Sequence, residues 1–339
     1  MTRDRHDVPR RMGRLCFVPI LAALHISAAN AAAVAAAGQA QAYPAKPVRL
    51  VTPSAPGSTA DVLARIVAQK LSASWGQQVV VDARAGAAGI VASGIVAKAP
   101  ADGYTLIMVA GNHAINPSLY SKLPYDTAKD FAGVTQIGAA PLLVVAHPAL
   151  AAASMRELIA LAKAQPGKLN YASAGKGTPS HLVMELLNSM AGVQLTQIAY
   201  SGGGPVLNAV VSGEVQLLAS GVLILMPLVK AGKLKALAVT GPRRSRVAPD
   251  VPTVAESGVP GFSVTGWWGI LAPAATPGPI LAQVQRDVAR ALSTHDVQER
   301  LAADGIEPVA STPQQFDAYI RQETARWAQV VKTAGIRSD

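Results

Sequence analysis

Three glycine-rich turns carry most of the chemistry in this chain, at residues 53–61, 174–180 and 200–205. Each follows an apolar run and precedes residues spaced for a helix. Such a turn gathers unpaired backbone N–H groups and the positive end of a helix dipole at one spot. That spot suits an anion such as a carboxylate or phosphate. In the first turn the candidate contacts are Ser54, Gly57, Ser58, Thr59 and Asp61. Asp61, early in its helix, more often serves the dipole or a hinge than a ligand. The second turn offers Ala174, Gly175, Gly177, Ser180 and His181, with Lys176 as the one cation. The third offers Tyr200 and Gly202. The affinity of such a site would come from amides, hydroxyls and bound water once solvent is excluded.

Asn112, His113, Ser220 and Trp267 lie at or near strand ends and are further candidates for a pocket wall, together with Trp268. Catalysis is not indicated. Ser180 and His181 are adjacent on a helix, so their side chains diverge and cannot pair as nucleophile and base. There is no Gly-x-Ser-x-Gly elbow. His113, His147, His181 and His295 are dispersed, which argues against a metal site. No cofactor is expected. His147 and His295 read as structural.

The turns need an α/β frame. Apolar runs alternate with helical patterns from Val48 to the end of the chain. Strands are expected at 48–52, 78–81, 105–109, 169–172, 196–199, 215–219 and 234–239. A helix of about three turns should follow Ser58 to Leu71, and others should start after Ser154 and at Thr178-Pro179. Residues 134–137 and 142–146 read as two extended pieces crossing between domains, with 264–271 as the return. Helices close the chain at 280–292 and 313–334.

The 339 residues suffice for two domains, and half of them are hydrophobic. The formal charge of +10 comes from scattered basic residues, so nucleic-acid binding is not expected. Residues 1–42 read as a signal peptide: five arginines, an apolar stretch from Leu15, and small residues at Ala40 and Ala42. Cleavage there would leave Tyr43 first and the protein in the periplasm. An uncleaved anchor is disfavoured by His25, Ser27 and Asn30. The single cysteine, Cys16, lies in this leader, so the mature chain would have no disulfide and no thiol chemistry.

Several segments together resemble the Bug family of extracytoplasmic solute-binding receptors of tripartite tricarboxylate transporters. They are YPAKPVRLV from Tyr43, PADGYTL from Pro100, NPSLY from Asn116, PGKLNYASAG from Pro166, PTVAESG from Pro252, and Ala272-Pro273. The resemblance implies a type II-like periplasmic binding fold, with two α/β lobes around a ligand cleft and two crossover strands. The lobes would be 43–139 with 266–339, and 140–265. It implies a monomer that closes on a small carboxylate: a dicarboxylate, a tricarboxylate or an aromatic acid. The partner would be a two-component membrane permease or, alternatively, a membrane sensor kinase. Typical members read Pro-Phe-Pro-Pro-Gly-Gly-Gly-Thr-Asp in the first turn. Here Ser54 replaces the aromatic, Ser58 and Thr59 replace two glycines, and Ala60 replaces the threonine. Where many relatives carry Phe-Asp-Asn, this chain has Ala219-Ser220-Gly221. If that aspartate recognises a ligand amine, its loss disfavours an amino-acid ligand.

Overall fold

The computed structural model describes residues 1–2, 43–54, 56–200 and 203–336. The signal peptide with Cys16, and the candidate Gly202, lie outside the described residues. The chain divides into Met1–Ala45 and Lys46–Asp339. The fold and its cavities belong to the second unit.

Strand β1 (Val48–Thr52) is buried along almost its whole length, as a strand covered on both faces requires. It pairs in parallel with β2 (Val79–Ala83) and β3 (Thr105–Ala110). Helix α1 (Thr59–Trp75) joins β1 to β2. It outruns the three turns expected because apolar spacing alone marks its buried face, whereas Gly76, left-handed at φ 65°, sets its end. Ser58 caps its start by accepting the Asp61 amide. Helix α2 (Ile90–Ala97) leads to β3.

Helix α3 (Asn112–Leu119) follows β3 at once. The sequence reading stopped at this strand end and did not foresee a helix. Pro117 lies inside it and reads locally as a breaker, yet Ala114 and Ile115 close the first turn on the Gly111 carbonyl. The two extended pieces expected near 134 and 142 are one sixteen-residue strand, β4 (Phe131–Ala146). Gly138, Ala139 and Ala140 at its middle pair in unbroken register with Trp268, Trp267 and Gly266, and the register shifts fall before them, at 133–135 and 136–138.

Strand β4 belongs to both sheets. Its first part pairs antiparallel with β9 (Thr265–Pro273), which pairs with β3. Its second part pairs with β7 (Leu217–Gly221) and β8 (Lys235–Val239). Beyond β7 come β5 (Asn170–Ser173) and β6 (Thr196–Ala199), both parallel. Thus two α/β lobes are joined through β4 and β9, the type II-like arrangement. Helices α4 (Met155–Ala164), α5 (Pro179–Ala191) and α6 (Gly203–Val211) serve the second sheet. Two further helices not foreseen from sequence are α7 (Val222–Lys230), which contains Pro227, and α9 (His295–Ala303), which follows α8 (Gly278–Leu292) after a short turn.

The last helix, α10 (Pro313–Thr333), starts with a capping box between Thr312 and Gln315. Its Phe316 and Ile320 pack into the core beneath β3 and β9. Its Trp327, Val330 and Val331 pack with Tyr171, Leu182 and Leu187 of the second lobe. Among the described residues no helix is long and apolar enough to cross a membrane.

Candidate functional site

Two cavities meet at the start of α3. The first, about 290 Å³, is the more polar of the two and lies wholly in the first lobe. Ser54 from the β1–α1 turn, Ser93 of α2, and Asn112, His113 and Asn116 of α3 line it, with residues 86–89 as one wall. The second, about 180 Å³, lies between the lobes. Gly111, Asn112 and Ile115 face Pro179 and Val183 of α5 there, with Trp267 and Trp327. Ala110 and Asn112 line both cavities.

The wall at 86–89 is conformationally costly. Four successive residues have positive φ: Gly86 at 133°, Ala87 at 43°, Ala88 at 51° and Gly89 at 88°. An alanine held left-handed costs about 1–2 kcal/mol. Two contacts hold the turn there. The Asn116 side-chain amide donates to the Ala88 carbonyl at 3.1 Å. A methyl group on Gly89 would stand 3.0 Å from the Pro53 Cβ, so only glycine lets the turn rest on Pro53. Strain concentrated around a cavity is a mark of a functional wall. Sequence reasoning registered this segment only as Gly- and Ala-rich; the signal it missed was two closely spaced glycines beside a strand end.

His113 is 4% exposed, stacked on Tyr125 and edge-on to Phe131. Burial pushes its imidazole down to about 4, so it is neutral at pH 7. Neither ring nitrogen has a hydrogen-bond partner among the described residues. The Trp267 indole N–H is likewise buried without a partner. It lies beside Gly111, where an added Cβ would be 3.7 Å away. Buried donors left unpaired cost about 1–3 kcal/mol each, which an incoming acceptor would recover.

The expected turns are distributed as follows. Ser54, Asn112 and His113 line the polar cavity, and Asn112 and Trp267 line the apolar one. Trp268 also lines the apolar one, and the other described candidates line neither of these two. Gly57 donates its amide to Asp61, which is 2% exposed and also takes the Arg65 guanidinium. Arg65 holds the Asp61 carboxyl below its usual range, with the Gly57 amide adding to this against the opposing effect of burial. Ser58 is the cap of α1 and Thr59 is exposed. In the second turn the Gly177 amide donates to His181 Nδ1 at 3.0 Å. His181 is buried against Tyr171, and that burial lowers its pKa. Gly175 donates to Ser173, and Ala174 donates to the Ser180 hydroxyl. Lys176 is exposed. Tyr200 donates to Glu214, and Ser220 sits on β7 opposite Leu143. The second turn meets the first lobe at Gly177, where an added Cβ would strike Leu119 of α3.

Residues 63–336 match the family model described as Tripartite tricarboxylate transporter family receptor. The chain belongs to this family. Protein BugT of Bordetella pertussis is 37% identical over 320 residues, covering 94% of this chain and 98% of that protein. Among solved structures, an R. palustris protein with adipate is 38% identical at a TM-score of 0.74, covering 87% of this chain and 99% of its own. MatC from Rhodopseudomonas palustris with bound malate is 34% identical at a TM-score of 0.70, covering 85% and 100%. The tripartite tricarboxylate transporter receptor family is one of solute-binding receptors. Its two-lobed fold is the one built here around β4 and β9.

Proposed function

We propose that this chain is an exported periplasmic receptor that binds a small organic acid between its lobes and presents it to a membrane permease. The lobes are residues 43–139 with 266–339, and residues 140–265. The observation that carries the reading is the convergence of two cavities on the first residue of α3. The positive end of that helix opens where Asn112 lines both cavities. His113 brings an uncharged donor to the first cavity and Trp267 one to the second. A carboxylate there would replace its hydration shell with fixed dipoles and regain the hydrogen bonds those groups lack. Ser54, Asn112, His113 and Trp267 are the contacts we assign first. Gly57, Ser58 and Asp61, with Gly175, Gly177, Ser180 and His181, shape the turns around them. Relatives solved with adipate and malate support an organic acid as the ligand class.

The test is a thermal-shift panel of carboxylic acids on the purified mature chain, with mass spectrometry of any acid released on denaturation. A true ligand raises the melting temperature progressively with its concentration. Asn112→Ala should weaken that acid by at least about tenfold, roughly 1.4 kcal/mol. A flat panel together with an empty released fraction would overturn the reading.

A further inference from the structure

We infer that the ligand is a monocarboxylate with an apolar tail rather than a dicarboxylate. The inference rests on the receptor reading above and concerns the charge and shape of that same site. Among the described residues no lysine or arginine lines either cavity, and the one histidine there, His113, is neutral. A single carboxylate can still be held at the α3 terminus by Asn112, the helix dipole and the Trp267 N–H beside Gly111. The far end of a ligand anchored there and reaching across the lobe junction would meet a different environment. It would enter the inter-lobe cavity, whose walls are Ile115, Leu142, Val183, Val264 and tryptophan rings.

Among the described residues, the one charged side chain lining that cavity is an anion, Glu323. It is 4% exposed, and its two oxygens are already engaged, one by the Trp327 indole N–H at 3.1 Å and the other by Arg326 at 2.6 Å. A ligand carboxylate entering there would lose water, meet no free cation and stand near a buried negative charge. A phenyl ring or a short alkyl chain meets none of these costs. The volume of about 180 Å³ suits it, since an apolar cavity of about 150 Å³ holds benzene. The polar cavity takes the head and its bound water; the apolar one takes the tail.

Hexanoate and adipate form a matched pair, equal in length and differing only in a terminal methyl or carboxylate. Isothermal titration of the mature chain with hexanoate, phenylacetate and adipate decides the matter. Hexanoate and phenylacetate should bind at least about tenfold more tightly than adipate. Glu323→Gln should narrow the hexanoate-to-adipate ratio by about tenfold, because the anion facing the distal carboxylate is gone. The ratio on the unsubstituted protein stands by itself should that variant fail to fold. Adipate binding as tightly as hexanoate, or more tightly, overturns the inference and leaves the carboxylate-receptor reading intact. If none of the three binds, and the wider acid panel is also flat, both fail.

Discussion

The two glycine turns that open α1 and α5 are built on one plan with different chemistry. In each, a glycine amide is taken by a side chain four residues on, in the first turn of the helix: Gly57 by Asp61, and Gly177 by His181. The first brace is an anion tied to Arg65. The second is a neutral imidazole stacked on Tyr171. The first glycine stands in open space, while the second is pressed against Leu119 across the lobe junction. A turn at the surface can thus be braced by charge, whereas one buried at the junction is braced by a group that avoids charge. The amides so engaged shape the turns and are not available to a solute.

The same substitution at the two glycines should separate them most. Gly177→Ala adds a methyl 2.4 Å from a Leu119 methyl at a φ of +73°. The overlap and the left-handed backbone together should cost about 4 kcal/mol in urea unfolding. A cost below 1 kcal/mol would show that Leu119 yields freely.

Acid should act on the second brace before the first. His113 and His181 both have folded pKa values below the usual 6.5, because burial disfavours their charged forms. Below pH 6.5 the unfolded chain therefore binds protons that the folded chain refuses, and stability falls with pH. For His113 the window runs from 6.5 to about 4. Its share of the loss should reach about 3 kcal/mol. Protonated His181 can no longer accept the Gly177 amide. Asp61, with a pKa lowered from 3.8, keeps its contribution until the pH falls below that value. Urea midpoints measured from neutral pH downward should decline through the histidine window, and His113→Gln should flatten the decline. A flat profile above pH 4 would count against neutral buried imidazoles.

Removing the charged brace is a smaller perturbation. Asp61→Ala leaves the Gly57 amide and Arg65 without their partner, and should cost about 2 kcal/mol. The smallest effect belongs to Gly57→Ala, where nothing lies within 4 Å and only the φ of +82° resists. About 1 kcal/mol is expected. If it matched Gly177→Ala, the contrast between an open and a buried turn would be wrong.

Local signals made much of the frame legible. Ser58, Ser154 and Thr178-Pro179 each mark a helix start where the chain has one. The apolar runs at Val48 and Thr196 are strands β1 and β6 with the bounds expected. What stayed hidden depends on distant contacts. Alanine carries no preference for positive φ, so the wall at Ala87 and Ala88 could not be read locally; Asn116, far along the chain, holds it. Pro117 and Pro227 concealed α3 and α7 because a proline inside a helix is tolerated only where tertiary packing outweighs its cost. His113 was legible as a pocket candidate, but not as a neutral group, since its charge state comes from Tyr125 and Phe131 folding over it.

The final helix sets a limit on how this molecule can come apart. Phe316 near one end packs in the interior of one lobe, and Trp327 near the other packs against its neighbour at the junction between them. Cutting the chain into separate halves would strip one of them of an aromatic plug and leave an oily hole. Heat or urea should therefore melt both halves in a single step, and a relative rotation between them must pivot on this shared axle rather than swing free.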